Sequence, residues 1–157
     1  MLERGEETVT ETGKILVIDD DESMRKLLVM TLESKGYKVD TARDGKEAIR
    51  KSKSDLYDLA LVDLRLPDMD GIELLTAMRE TAPTMMKIVL TGYPSLESAI
   101  EAINKGADGY IVKPVKAEQL LSTVQEHLRK QREAKTYSED KVKEFIETRV
   151  RELETRE

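Results

Sequence analysis

The chain has 157 residues, 37% of them charged, a formal net charge of -6 and no cysteine. That length suits one domain of ordinary size with a segment left over, able to bury a core without staples. The composition excludes disulfides, thiolate metal sites and cysteine nucleophiles, and it gives no overall basic balance favouring nucleic acid. No apolar run is long enough to span a bilayer, and residues 1–13 lack the apolar centre of a signal peptide, which points to a cytoplasmic protein with no membrane partner.

Residues 1–13 are polar and aperiodic and read as a flexible arm. Lys14 to Asp19 predicts a first strand, continuously apolar over Ile15-Leu16-Val17-Ile18, ending in Asp19-Asp20-Asp21-Glu22. Met24, Leu27, Leu28, Thr31 and Leu32 follow at helical spacing up to Gly36, a stop signal. Tyr37 to Thr41 predicts a second strand, and Asp44 with Glu47 resembles a capping box opening a helix through about Lys51. The third strand, Leu59 to Asp63, is apolar until it meets a single acid. Asp70 and Glu73 resemble a second box, and the helix they open carries Leu74, Leu75 and Met78 on one face.

A fourth strand spans Lys87 to Thr91, and Leu96, Ala99, Ile100 and Ile103 form a helical stripe ending near Gly106. A fifth strand, about Gly109 to Val112, runs into Lys113-Pro114, and a helix from about Ala117 carries Leu120, Leu121, Val124 and Leu128. His127 falls on the polar face of this helix and reads as a solvated side chain. Five strands alternating with helices predict an α/β fold with a parallel sheet, because parallel neighbours need crossover connections.

In open parallel sheets ligands bind at the carboxyl ends of the strands. If the sheet is doubly wound with its first and third strands adjacent, Asp19, Asp20 and Asp63 share one shallow pocket. Two unit charges about 4 Å apart at an effective dielectric near 20 repel by roughly 4 kcal/mol, so the cluster needs a cation. Oxygen-only ligands at a partly hydrated site favour Mg2+. Lys113 adds a fixed positive charge and Thr91 a hydroxyl. Around one carboxylate, these groups are what phosphoryl transfer to it requires. Asp21 reads as a helix N-cap.

Four stretches together, Ile15 to Asp20, Asp63 to Gly71, Leu90-Thr91-Gly92 and Gly106 to Pro114, make the chain from about Lys14 to Arg132 resemble the receiver domain of two-component response regulators. The resemblance implies a five-stranded parallel sheet of order 2-1-3-4-5. It implies that Asp63 accepts a phosphoryl group from a sensor histidine kinase or phosphotransfer protein, with Asp19 and Asp20 holding Mg2+ and the backbone carbonyl of Arg65 completing the protein ligands. It further implies that Thr91 and Lys113 grip the phosphoryl oxygens, that Tyr110 reports the change to an output face, and that Lys113–Pro114 is a cis peptide. Arg65 and Tyr93 border the pocket, at positions that in this family tune the loss of the acyl phosphate. Two competing readings are a phosphatase of the haloacid dehalogenase type, using Asp19 and Asp21, and a flavodoxin-like cofactor-binding module. The first leaves Asp63 and Lys113-Pro114 unexplained, and the second meets an acidic loop where a phosphate cradle needs glycines.

The expected organisation is an arm over 1–13, the receiver over 14–132 and a C-terminal helical extension over 133–157. In the extension, Thr136 and Glu139 could form a capping box, and Val142, Phe145, Ile146, Val150 and Leu153 share a helical face. Glu139 with Lys143, Glu147 with Arg151 and Glu152 with Arg156 have the spacing of helix-supporting ion pairs. The stripe would fold back on the receiver, form a homodimer, or lead into an output domain. The extension is too short and too mixed in charge for a DNA-binding module of its own.

Overall fold

The computed structural model describes residues 13–155. The predicted arm, Gly13 apart, and Arg156 lie outside the described residues. The elements are β1 (Lys14–Ile18), α1 (Glu22–Glu33), β2 (Lys38–Ala42), α2 (Gly45–Ser54), β3 (Leu59–Asp63), α3 (Gly71–Thr81), β4 (Met86–Thr91), α4 (Leu96–Asn104), β5 (Gly109–Val112) and α5 (Ala117–Thr155). The strands form one parallel sheet of order β2-β1-β3-β4-β5, as the resemblance implies.

Side chains alternate across a strand, so β1 feeds two apolar layers. Ile15 and Val17 pack with Leu28 and Leu32 of α1 and with Leu120, Val124 and Leu128 of α5. Leu16 and Ile18 pack with Ala48 of α2, Leu74, Leu75 and Met78 of α3, and Ala102 of α4. All five residues of β3 are buried, which is why its sequence runs apolar without alternation until Asp63.

Carboxylates and a hydroxyl open the helices. Asp21 accepts from the Ser23 and Met24 N–H groups at α1, Asp44 from Glu47 N–H at α2, Asp70 from Ile72 N–H at α3, and Ser95 from Ser98 N–H at α4. Glu47 also accepts from the Arg43 N–H, so the predicted box at α2 closes one residue further back than the simplest form.

Four expectations need correction. The second strand begins at Lys38 and reaches Ala42, with Tyr37 buried just before it, and α2 continues to Ser54 rather than Lys51. The extension is not a separately capped helix. Thr136 lies in mid-helix within α5, which runs unbroken for 39 residues, so no capping box forms there. Among the described residues of the extension, Arg149 pairs with Glu152 at 2.9 Å. His127 is buried, with Nδ1 2.7 Å from the Thr123 carbonyl oxygen and Nε2 3.0 Å from that of Asp108, and so ties α5 to the turn before β5.

The edge strand β2 is held by a polar network. The Tyr57 hydroxyl donates to Asp40 at 2.6 Å, and Lys51 donates to the other Asp40 oxygen at 3.1 Å and to the Thr41 carbonyl. Burial alone would raise the Asp40 carboxyl, but the Tyr57 and Lys51 bonds hold it below its ordinary value; burial and Asp40 together push the Tyr57 phenol up. Tyr57→Phe keeps the ring and removes the donor. The expected loss is about 1–2 kcal/mol, read as a lower urea midpoint at unchanged m-value. An unchanged midpoint would mean that the bond adds nothing to holding β2.

Candidate functional site

Adjacency of β1 and β3 brings Asp19 and Asp63 to the same end of the sheet, where β1 and β3 give way to loops. One carboxylate oxygen from each of Asp19, Asp20 and Asp63 lies within 4.8 Å of the others. Asp19 is fully buried, Asp63 nearly so, and Asp20 is exposed at the mouth. Backbone donors orient the two buried groups: Asp21 N–H reaches Asp19 Oδ1 at 2.9 Å, and Arg65 N–H reaches Asp63 Oδ1 at 3.1 Å. Arg25, on α1, donates to the Asp19 carbonyl oxygen at 2.7 Å.

Lys113 enters from the end of β5, and its peptide bond to Pro114 is cis. Its Nζ stands 3.4 Å from Asp19 Oδ2 and 3.5 Å from Asp63 Oδ2. One ammonium thus faces two buried carboxylates. Burial chiefly, and then the charge of Asp19, push the Asp63 carboxyl up, against the Arg65 N–H bond and Lys113. The donor set consists of hard oxygens, with the exposed Asp20 leaving one side to water. It fits a small divalent cation that keeps part of its hydration, as Mg2+ does.

Thr91, buried at the end of β4, accepts from Tyr93 N–H through Oγ1 at 3.1 Å, which leaves its hydroxyl proton available. Its carbonyl accepts from Lys113 N–H at 2.7 Å, fixing the ends of β4 and β5 together. The Arg65 guanidinium lies 3.6 Å from the centroid of the Tyr93 ring, a cation–π stack across the edge of the site. Tyr110 is half-buried and its hydroxyl meets Ser98 Oγ on α4 at 3.0 Å. It therefore joins β5 to α4.

The loop from Asp63 to Gly71 is pinned at several points. Gly71 N–H donates to the Leu64 carbonyl at 3.0 Å, and Arg65 bridges to Asp70. Asp68 accepts from the Gly45 and Lys46 N–H groups at 2.8 and 2.9 Å, so a carboxylate from this loop sits on the first amides of α2. These N–H groups hold the Asp68 carboxyl below its ordinary value. A Cβ at Gly45 would fall 2.5 Å from Met69 Cγ, which makes glycine the residue that permits this approach. Sequence reasoning missed Asp68, since its partners lie 22 and 23 residues earlier and leave no local pattern.

The competing phosphatase assignment needs Asp21 as an acid or base beside Asp19. Asp21 instead spends its carboxylate on the first amides of α1. A flavodoxin-like phosphate cradle is disfavoured by the carboxylates themselves, which repel an anion without a cation.

Residues 15–125 match the family model of the response regulator receiver domain. The chain is 40% identical over 121 residues to the transcriptional regulatory protein ResD of Bacillus subtilis, an alignment covering 77% of this chain and 50% of ResD. It is similar to the crystal structure of a CheY-like receiver domain protein from Methanospirillum hungatei, with 40% identity, a TM-score of 0.76, and coverage of 79% of this chain and 99% of that one. A response regulator from Burkholderia pseudomallei, solved with a phosphorylated aspartic acid, a calcium ion and citrate, matches at 32% identity and a TM-score of 0.69 over 78% of this chain and 72% of that one. The chain spans between 26% and 53% of the length of curated relatives that it matches.

Proposed function

The chain belongs to the response regulator receiver family of two-component systems, and on that premise we propose that Asp63 accepts a phosphoryl group from a phosphohistidine on a partner kinase. The observation that carries this reading is a buried carboxylate at the end of β3 with an ammonium 3.5 Å away and a second, fully buried carboxylate beside it. A carboxylate oxygen of Asp63 attacks phosphorus, the P–N bond to the donor imidazole breaks, and its electron pair stays with the imidazole nitrogen.

Asp19, Asp20 and Asp63, with the Arg65 carbonyl, would hold Mg2+. When bound, the ion neutralises charge on the incoming group. Lys113 takes a phosphoryl oxygen from the opposite side, and Thr91 donates its free hydroxyl proton to another. Drawing Thr91 toward the new charge opens space beneath β5 for Tyr110. Exchange of its Ser98 bond for an inward position then alters the face made by α4, β5 and α5, a two-packing equilibrium biased by phosphorylation. The Burkholderia protein with its phosphorylated aspartic acid and calcium ion supports the same chemistry in this chain.

The test is labelling with a small acyl-phosphate donor and Mg2+, trapping of the acyl phosphate, and mapping by mass spectrometry. A single Mg2+-dependent modification on Asp63 is expected. Modification at Asp19 would favour the phosphatase reading, and no modification in the presence of Mg2+ would overturn phosphoacceptor function.

A further inference from the structure

Asp20 is the exposed member of the acidic cluster, and among the described residues no donor meets its carboxylate. An exposed acid beside two buried ones is drawn outward to water, because like charges at short range repel. Its oxygen nonetheless lies within 4.8 Å of the Asp19 and Asp63 oxygens. The backbone therefore sets where it points.

Three hydrogen bonds fix that backbone. Asp19 N–H donates to the Ala42 carbonyl at 3.1 Å, Asp21 N–H donates to Asp19 Oδ1 at 2.9 Å, and the Arg25 guanidinium donates to the Asp19 carbonyl at 2.7 Å. The third acts most directly on Asp20. A peptide unit is planar, so the Asp19 carbonyl and the Asp20 N–H turn as one body, and a donor that fixes the oxygen fixes the plane from which the Asp20 side chain departs. Asp19 stands one residue past the last ladder pairs of β1, Ile18 with Ala42 and with Val62, so a side chain takes over there from the strands.

Arg25 is committed to this oxygen. It is half-buried and shares α1 with Glu22, yet among the described residues it forms no ion pair, while Glu22 pairs with Lys26 at 3.5 Å. Its own N–H donates to the Asp21 carbonyl at 2.9 Å, so the first turn of α1 holds the residue that reaches back across the loop.

We propose that Arg25 is a positioning residue for the metal site: its bond to the Asp19 carbonyl holds the peptide between Asp19 and Asp20 in the orientation that turns Asp20 toward Asp19 and Asp63. The inference rests on the reading of these three acids as Mg2+ ligands. The charge of Arg25 works the other way, since a further cation near the cluster opposes a divalent ion. Placement and charge thus predict opposite signs.

Magnesium titration by calorimetry, on full-length proteins shown by circular dichroism to be folded, reads that sign. Arg25→Met removes donor and charge and is expected to weaken Mg2+ binding about tenfold, as loss of an outer partner of a metal ligand does. Arg25→Lys keeps a donor and is expected to recover part of the loss. Lys26→Met removes a neighbouring charge whose partner is Glu22, and it is expected to leave the affinity unchanged or tighter. Because Arg25 acts through Asp20, adding Arg25→Met to an Asp20→Asn protein should weaken binding by less than about twofold. Tighter binding by Arg25→Met, equal weakening by Lys26→Met, or the full loss repeated in the Asp20→Asn protein would each overturn the proposal. Should Arg25→Met fail to fold, Arg25→Gln, also neutral but shorter, is read by the same outcomes. A parent chain that binds no Mg2+ would instead strike the metal assignment itself, and this inference with it.

Discussion

Asp63→Asn is expected to reduce labelling by an acyl-phosphate donor to background while raising the stability of the metal-free protein at neutral pH. The amide keeps the shape of the carboxylate and removes the nucleophile. The stability effect follows from burial and from Asp19, which push the Asp63 carboxyl above its unfolded value. A carboxyl raised by folding contributes stability below its unfolded value and loses it as the pH rises through the folded one. At pH 7 the ionised group therefore costs the fold, and the neutral amide removes that cost. Thermal melts in chelator should show the Asn variant melting higher at pH 7, with the gap closing toward pH ~4, near the ordinary carboxylate value. Equal labelling of the variant would remove Asp63 as acceptor, and equal melting at pH 7 would remove the electrostatic argument.

Gly71→Ala is expected to damage both the fold and the site. A Cβ there would lie 2.6 Å from Leu64 Cα and 2.8 Å from the Asp63 carbonyl oxygen, both backbone atoms that cannot rotate aside. Overpacking of this kind costs about 2–3 kcal/mol, and here the relief must come from moving the loop that carries Asp63 and Arg65. Urea unfolding and labelling should fall together. Gly92→Ala is the control, because its Cβ meets nothing nearer than the Lys113 side chain at 4.0 Å, and its stability should stay within about 0.5 kcal/mol of the parent. A Gly71→Ala protein of parental stability would show that the loop adapts freely.

The strand ends were legible because each joins an apolar run to an abrupt polar residue, and a sheet buried on both faces leaves no other place for Asp19, Asp63 or Thr91. The continuity of α5 was not legible from its stripe, which lapses between Leu128 and Val142. Glu, Lys, Arg, Gln and Ala fill much of that gap, with no glycine or proline, and their intrinsic preference carries the helix across without apolar contacts. His127 misled for a different reason. Its partners are backbone carbonyls of Thr123 and Asp108, and no side-chain pattern advertises them. The tie between Asp68 and α2 was hidden in the same way, by distance along the chain.

Lys87 sits almost wholly buried near the start of β4, its ammonium on the carbonyls of Met85 at 2.8 Å and Ala82 at 3.3 Å, and its N–H on Asp108. Burial pushes this ammonium down from its ordinary value, with Asp108 opposing. The next three residues, Ile88, Val89 and Leu90, are apolar and packed on both sides of the sheet, so the strand's middle would be content with either face inward. A slip of one residue would leave that middle nearly as well buried, but it would turn Lys87 into the apolar layer beneath α1 and α5 with no carbonyl to receive it. The buried cation thus acts as an alignment peg. By refusing the slipped pairing at one end of β4, it decides which residue arrives at the other end, about 13 Å away, and so why a threonine stands beside the acidic pocket.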